Sequence, residues 1–336
     1  MANTHNHAQH LTVETQRWLL KEPFVISRGV KTAADVIVVC ISDGKHKGFG
    51  EAVPYARYGE TVEGVIKAIK PFQENIPNRN DLEDLLPAGA ARNALDCALW
   101  DLEAKQSGVS PLAQADVDVN LGLDHLQPRQ TAFTLSLSSA EAMAQAAGRV
   151  PQHTCLKLKL GGAGDDARML AVRRARPDAE LIGDANEAWT DANVSMLLAA
   201  AAQSNMALIE QPLPAGQDTI LADIERPVPV CADESAHTSK DLKPLRNRYD
   251  AINIKLDKTG GLTEALTMLS RARALGFDVM VGCMVATSLA MAPAFFLAQH
   301  ARWVDLDGPL LLAEDRPHGF RIINGVIAPP SPKLWG

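Results

Sequence analysis

The chain has 336 residues, 46% of them hydrophobic and 22% charged, with 33 Lys plus Arg against 40 Asp plus Glu and a formal net charge of −7. That length and balance suit a large globular barrel with a smaller partner domain, able to bury a core without staples. The acidic balance argues against a broad nucleic-acid or anionic-membrane surface, while leaving room for a local basic pocket that takes a small anion.

The opening MANTHNHAQH is polar and has no apolar stretch of the secretory kind. His5, His7 and His10 within it read as a frayed tail rather than a metal site. No run approaches the roughly 20 apolar residues of a membrane span. The five cysteines, Cys40, Cys97, Cys155, Cys231 and Cys283, are scattered with no C-x-x-C pair, and three lie in apolar runs. Buried reduced thiols and a cytoplasmic location are the expectation.

Residues 11 to about 53 read as a β-meander: LTVETQRWLL and TAADVIVVCI are strand-like, and the Asp-Gly of SDGKHKG marks a turn before FGEAV. TVEGVIKAIKPF and AGAARNALDCALWDLEAKQSG then show helical periodicity, the second ending on a glycine stop. Strands followed by helices predict an α+β domain over residues 1–125. From residue 126 to 310 the pattern alternates. Eight short apolar strands are expected in TAFTLSL, TCLKLKL, AELIGDA, MALIEQP, VPVCADE, AINIKLD, DVMVGCM and RWVDLDG, with seven helical segments between them. The fold class predicted is α/β, a modified TIM barrel of the (β/α)7β kind. An open doubly wound sheet would need a Gly-rich phosphate loop after its first strand, which is absent. Residues 311–336 are expected to return to the first domain.

In such a barrel the C-terminal ends of the strands face the active site. Those ends carry Lys157 and Lys159, Asp184, Glu210, Asp233, Lys255, Asp305 and Asp307. Two-residue periodicity puts Lys157 and Lys159 on one face of their strand and Leu156, Leu158 and Leu160 on the other. Asp184, Glu210 and Asp233 end three successive strands, each one βα unit after the last. Three converging carboxylates repel unless a cation sits between them, and hard oxygen donors favour Mg²⁺, with Mn²⁺ as a substitute. A single Asp at such a position ordinarily caps a helix or joins a salt bridge. Lys255 lies about halfway round the barrel from Lys159, on one face with Asn253 and Asp257, where pairing with Asp257 is the ordinary reading. Opposite Lys159 it becomes a candidate second base. Crowding of Lys157 against Lys159, with partial desolvation, predicts a depressed amine pKa.

The K-x-K at 157–159 followed by Asp184, Glu210, Asp233 and Lys255 resembles the muconate-lactonizing subgroup of the enolase superfamily. IGDANEAW, IEQPLP, ADES and NIKLDKTGG support the resemblance, which spans nearly the whole chain and implies that the first domain is an α+β capping domain. It implies Mg²⁺ held by Asp184, Glu210 and Asp233, and removal of a proton α to a carboxylate to give an enediolate, the arrangement for which this superfamily is itself a standard example. It further implies that Lys159 and Lys255 are acid/base partners on opposite faces of the α-carbon, assisted by Lys157. VDLDGPL, with Asp305 and Asp307, is similar to the D-x-D that holds the free ammonium in dipeptide epimerases; a helix cap or a salt bridge is the alternative for those two residues.

PFVISRGVKTAADV resembles the specificity loop of epimerases acting on L-Ala-D/L-Glu, which implies that Arg28 meets the glutamate side-chain carboxylate with its bidentate fork. VPYARYGET would close the other side through Tyr55 or Tyr58. Thr134, Cys283 and Val285 would line the pocket or simply pack the barrel. The substrate expected is a small dipeptide, L-Ala-D-Glu converted to L-Ala-L-Glu in the reuse of cell-wall peptides. The alternatives are an o-succinylbenzoate synthase, a muconate cycloisomerase, an N-acylamino acid racemase or a non-catalytic binder. A homo-oligomer is compatible with the sequence, which carries no signal for a partner protein.

Overall fold

The computed structural model describes residues 9–119, 122 and 125–336. Strands β1 (His10–Ile26), β2 (Gly29–Ser42) and β3 (Lys47–Ala52) form an antiparallel meander. Asp43 closes the turn between β2 and β3, its Oδ1 accepting the N–H groups of Lys45 and His46. PFVISRGVKTAADV, expected as a loop, is instead a hairpin: β1 and β2 continue through it to a turn at Ser27 and Arg28, with a register shift between Leu19 and Phe24. Cross-strand pairing of Val25 with Val30 and of Phe24 with Lys31 extends the strands past the point where hydrophobic alternation stops.

Helix α1 (Val62–Ile69) starts where the Thr61 side chain accepts Gly64 N–H, α2 (Leu82–Leu85) is a single turn, and α3 (Ala90–Ser107) ends on left-handed Gly108. α3 lies directly on β3. A Cβ at Gly48 or Gly50 would stand 2.1 Å from Ala98 O or 2.0 Å from Ala94 O, so only glycine allows that approach. Helix α4 (Pro111–Val119) completes this part, and β4 (Arg129–Gln130) leads toward the barrel.

The barrel runs β5 (Phe133–Leu135), α5 (Ala140–Gly148), β6 (Cys155–Lys159), α6 (Asp165–Ala175), β7 (Glu180–Asp184), α7 (Val194–Gln203), β8 (Leu208–Glu210) and β9 (Val230–Ala232). It continues with α8 (Leu242–Leu245), β10 (Ala251–Ile254), α9 (Leu256–Thr259), α10 (Leu262–Ala274), β11 (Asp278–Gly282), α11 (Ser288–Ala298), β12 (Trp303–Asp305) and α12 (Gly308–Leu311). β5 to β12 pair in sequence order, all parallel, and Ala132 N–H donates to Val304 O at 2.8 Å to bring the two edges together. The eight strands fall within the eight expected runs. One of the seven connecting helices does not form: between β8 and β9 there is only a short 3-10 turn at Thr219–Ala222, because Pro212, Pro214, Gly216 and Pro227 interrupt the segment.

Inward residues at the strand starts, from Ala132 and Cys155 round to Met280 and Trp303, form a separate buried cluster that plugs the barrel floor. Leu156, Leu158 and Leu160 join the larger core under the helices, which leaves Lys157 and Lys159 facing inward above Cys155. At the C-terminus β13 (Ile322–Ile323) and β14 (Val326–Ile327) turn at Asn324 (φ 51°) and Gly325 (φ 75°), a tight hairpin that suits this residue pair. They pair with β4, while other residues of the segment meet the first domain: Ala313 N–H donates to Leu19 O (2.8 Å), Arg316 pairs with Glu51 (2.7 Å), Trp335 Nε1 donates to Cys97 O (3.0 Å) and Gly336 N–H to Asp101 Oδ1 (2.7 Å). Among the described residues no helix is long and apolar enough to cross a membrane.

Candidate active site

Each charged residue of interest stands where an apolar strand gives way to a loop. Lys159, Asp184 and Glu210 are the last residues of β6, β7 and β8, Asp233 and Lys255 directly follow β9 and β10, and Asp305 ends β12. The apolar part of each strand is held by the core, so its polar end is fixed in place at the barrel mouth. There the capping hairpin and the Tyr55–Tyr58 loop roof a cleft lined by Lys157, Lys159 and Lys255 and by Asp233, Asp305 and Asp307.

The lysines and carboxylates interlock. Lys157 Nζ lies 2.6 Å from Glu210 Oε2, 2.7 Å from Asp305 Oδ2 and 3.1 Å from Asp184 Oδ2. Lys159 Nζ is 2.6 Å from Asp184 Oδ2, and Lys255 Nζ is 2.6 Å from Asp233 Oδ2. All seven groups are buried. Burial pulls Lys157 and Lys255 down, but the surrounding carboxylates outweigh it and hold both well above the ordinary lysine value. Conversely, burial pushes Asp233 up, and Lys255 and Lys258 more than reverse it, holding that carboxyl far below its usual range.

The salt-bridge alternative thus describes the carboxylates as they stand, and the helix-cap alternative does not: the side chains of Asp184, Glu210 and Asp233 go to amines. Asp305 takes Lys157 on Oδ2 and leaves Oδ1 buried without a hydrogen bond. Asp307 precedes α12 without capping it; its Oδ2 accepts Thr134 N–H at 2.7 Å, and burial together with Asp305 pushes its carboxyl up to about 7. Asp257 does not pair with Lys255. It sits in helix α9, off the β10 face, and its Oδ1 accepts Val53 N–H and Asn93 Nδ2 of the capping part, each at 2.9 Å.

Arg28, at the hairpin turn, reaches across to the barrel. Its Nη1 donates to Asn186 O (2.9 Å) and Glu187 Oε2 (3.2 Å), while its Nη2 meets Glu234 Oε1 (2.8 Å) and Tyr55 OH (3.1 Å). Arg57 grips Glu187 with a two-point fork, both contacts 2.8 Å. Thr134, Cys283 and Val285 line the cleft together with Arg28, as do Tyr55 and Tyr58.

Several site residues escaped the sequence reading. Lys258 is buried and gives Asp233 a second cation at 2.6 Å, although NIKLDKTGG contains it. Asn253 donates to Glu210 Oε1 at 2.6 Å. Glu187 stands three residues after Asp184 in IGDANEAW, and Glu234 directly follows Asp233 in ADES. Asn186, Glu187 and Gln211 have φ of 45°, 66° and 33°, left-handed backbone that costs of order 1–3 kcal/mol for such residues and clusters at functional sites.

Among the described residues no three His, Cys, Asp or Glu side chains stand together as a ready ligand group, because the Lys157 ammonium bridges Asp184 and Glu210. The donors nonetheless fit a hard divalent cation. All are buried carboxylate oxygens at neighbouring strand ends, the hard donors such an ion takes, and each is held by a lysine ammonium: Asp184 by Lys159, Glu210 by Lys157 and Asp233 by Lys255 and Lys258.

Residues 8–114 match the mandelate racemase / muconate lactonizing enzyme N-terminal domain, and residues 137–333 match the enolase C-terminal domain-like family. The chain is 46% identical to an N-acetyl-D-glutamate racemase of Pseudoalteromonas sp. over 306 residues, 90% of this chain and 95% of that one. It is 45% identical to the L-Ala-D/L-Glu epimerase of Escherichia coli K12 over 315 residues, 92% and 96% of the two chains. A solved structure from Agrobacterium tumefaciens, an enolase family member with homology to dipeptide epimerases, holds sodium and L-Ala-L-Glu with an ordered loop. It matches with a TM-score of 0.94 and 51% identity, covering 98% of this chain and 100% of that one. A dipeptide epimerase from Cytophaga hutchinsonii, complexed with Mg and D-Ala-L-Val, matches with a TM-score of 0.88 and 26% identity over 96% and 93% of the chains. With both domains matched and the K-x-K, carboxylate and lysine positions gathered at one barrel mouth, the chain belongs to the mandelate racemase / muconate lactonizing enzyme family of the enolase superfamily.

Proposed function

We propose that the chain is a Mg²⁺-dependent dipeptide epimerase that interconverts L-Ala-D-Glu and L-Ala-L-Glu. The observation that carries this reading is the placement of Lys159 and Lys255 at strand ends four positions apart in an eight-stranded ring, both lining one cleft. Inversion at carbon needs one group to take a proton from one face and another to return it from the opposite face. Two amines across the barrel from each other provide that pair.

Asp184, Glu210 and Asp233 would hold Mg²⁺ or Mn²⁺, and the bound ion would supply positive charge beside the substrate's α-carboxylate. The remaining roles belong to the chain itself. Lys159 and Lys255 each hold or accept the α-proton at Nζ, and Lys157 supplies a fixed positive charge beside Lys159. Asp305, with an unpaired buried Oδ1, and Asp307 take the substrate's free ammonium. Arg28 exchanges Glu234 for the side-chain carboxylate of the second residue. Thr134, Cys283 and Val285 shape the wall that receives the small first residue. In this reading residues 1–125 with 311–336 roof a barrel of residues 126–310, and the enzyme works in the cytoplasm on cell-wall peptides, alone or as a homo-oligomer.

The similarity to an N-acetyl-D-glutamate racemase favours one second reading, racemisation of an N-acylated glutamate at the same site. That substrate has the same two carboxylates and no ammonium, so it leaves Asp305 Oδ1 without a partner. Polarimetry of L-Ala-D-Glu and of N-acetyl-D-glutamate, each with Mg²⁺, separates the two. Faster change of optical rotation with the dipeptide is expected, and turnover of the acetylated substrate alone would reverse the assignment.

A further inference from the structure

Lys31 stands on β2 directly opposite Phe24 of β1, lines the cleft, and holds its Nζ 5.0 Å from the centroid of the Tyr55 ring. Four other cations line the same cleft: Arg28, Lys157, Lys159 and Lys255. Each has a carboxylate partner. Among the described residues Lys31 has none.

The charges beside it make that difference matter. Arg28 and Arg57 contribute two positive charges, Glu187 and Glu234 two negative, and the four are joined by contacts of 2.8 to 3.2 Å. With both carboxylates ionised, this cluster is neutral. A substrate carboxylate brought to Arg28 would place three carboxylates against two guanidinium groups, and repulsion among them would oppose binding. An unpaired ammonium at the same mouth restores the balance.

We infer that Lys31 is a specificity-determining residue for an acidic second residue, supplying the net positive charge that lets Arg28 accept one more carboxylate. The inference rests on the dipeptide epimerase reading above and deepens it. Lys31 is exposed, so the attraction is screened by salt and small compared with a buried pair. Its position against Tyr55 keeps the amine at the cleft rather than in open solvent.

The test compares kcat/KM for L-Ala-L-Glu with that for L-Ala-L-Gln, a neutral dipeptide of nearly the same shape. In Lys31→Met the Glu-to-Gln ratio should fall about fivefold at low ionic strength, the scale of an exposed ion pair. The fall should shrink as salt is added, and Lys31→Arg should restore the ratio. An unchanged ratio in Lys31→Met, an equal loss with both dipeptides, or a loss insensitive to salt would overturn the assignment. Wild-type protein inactive on both dipeptides would instead overturn the proposed function and this assignment with it.

Discussion

Lys159 and Lys255 stand at the ends of strands four places apart in the ring of eight, each with its Nζ 2.6 Å from a carboxylate oxygen on the adjacent strand end, Asp184 for the one and Asp233 for the other. The two amines are therefore built on the same plan. Each is fixed in direction by a carboxylate of the proposed metal group, and each meets the cleft from its own side. A site for one-way proton abstraction needs only one of them.

The lysine–carboxylate contacts predict a marked response to metal. EDTA should abolish turnover, and Mg²⁺ should restore it. Mg²⁺ should also raise the melting temperature of the wild-type protein, since an ion that binds only the native state stabilises it. Asp184→Asn should lose both responses while keeping the fold, which calorimetry and circular dichroism would report. Full activity in chelator would contradict the assignment of Asp184, Glu210 and Asp233.

Asp305→Asn and Asp307→Asn should weaken dipeptides irrespective of their second residue, because every dipeptide presents the same ammonium. A lost charge-assisted hydrogen bond of about 1.5–3 kcal/mol corresponds to roughly ten- to a hundred-fold in kcat/KM. N-acetyl-D-glutamate, with no ammonium, should be affected less. Equal losses on dipeptide and acetylated substrate would assign the two aspartates to the fold rather than to the substrate.

A pH dependence of stability follows from Asp257, which joins helix α9 to Val53 and Asn93 and has no cation at its side. Burial pushes its carboxyl up to about 7, against about 3.9 for an unfolded chain. The folded state therefore holds the proton more tightly. This group favours folding below about pH 4, and its contribution is lost as the pH rises through about 7. Asp257→Asn keeps an oxygen acceptor and cannot ionise. Its stability relative to wild type should increase between about pH 5 and about pH 8, by roughly 2–4 kcal/mol. Urea melts at the two pH values measure this, and a constant difference would contradict it.

Much of the framework was legible because the physical pattern is local. An apolar run that ends in one charged residue marks a strand end in a closed barrel, and Leu156, Leu158 and Leu160 against Lys157 and Lys159 show the two faces directly. What stayed hidden depends on residues far apart in the chain. The Arg28–Glu234 contact spans the roof and the barrel, and no spacing rule connects those positions. The surroundings of Lys157 are hidden for the same reason: its neighbour in sequence is a lysine, but its neighbours in space are Asp184, Glu210 and Asp305. The hairpin around Arg28 carries no strand signal in the sequence because its residues lack the alternation that marks a half-buried sheet.

The most direct test of the two-lysine account is α-proton exchange in D₂O, followed by mass spectrometry or NMR with L-Ala-D-Glu and L-Ala-L-Glu as separate substrates. Wild-type protein should incorporate deuterium at the second residue of both epimers. Lys159→Ala and Lys255→Ala should each lose epimerisation by at least about 10²-fold, the scale of a positioned acid or base. Each variant should retain exchange with one epimer only, and the retained epimer should be opposite in the two. If one variant lost exchange with both epimers while the other epimerised normally, a single base would carry the proton and the central claim would be wrong.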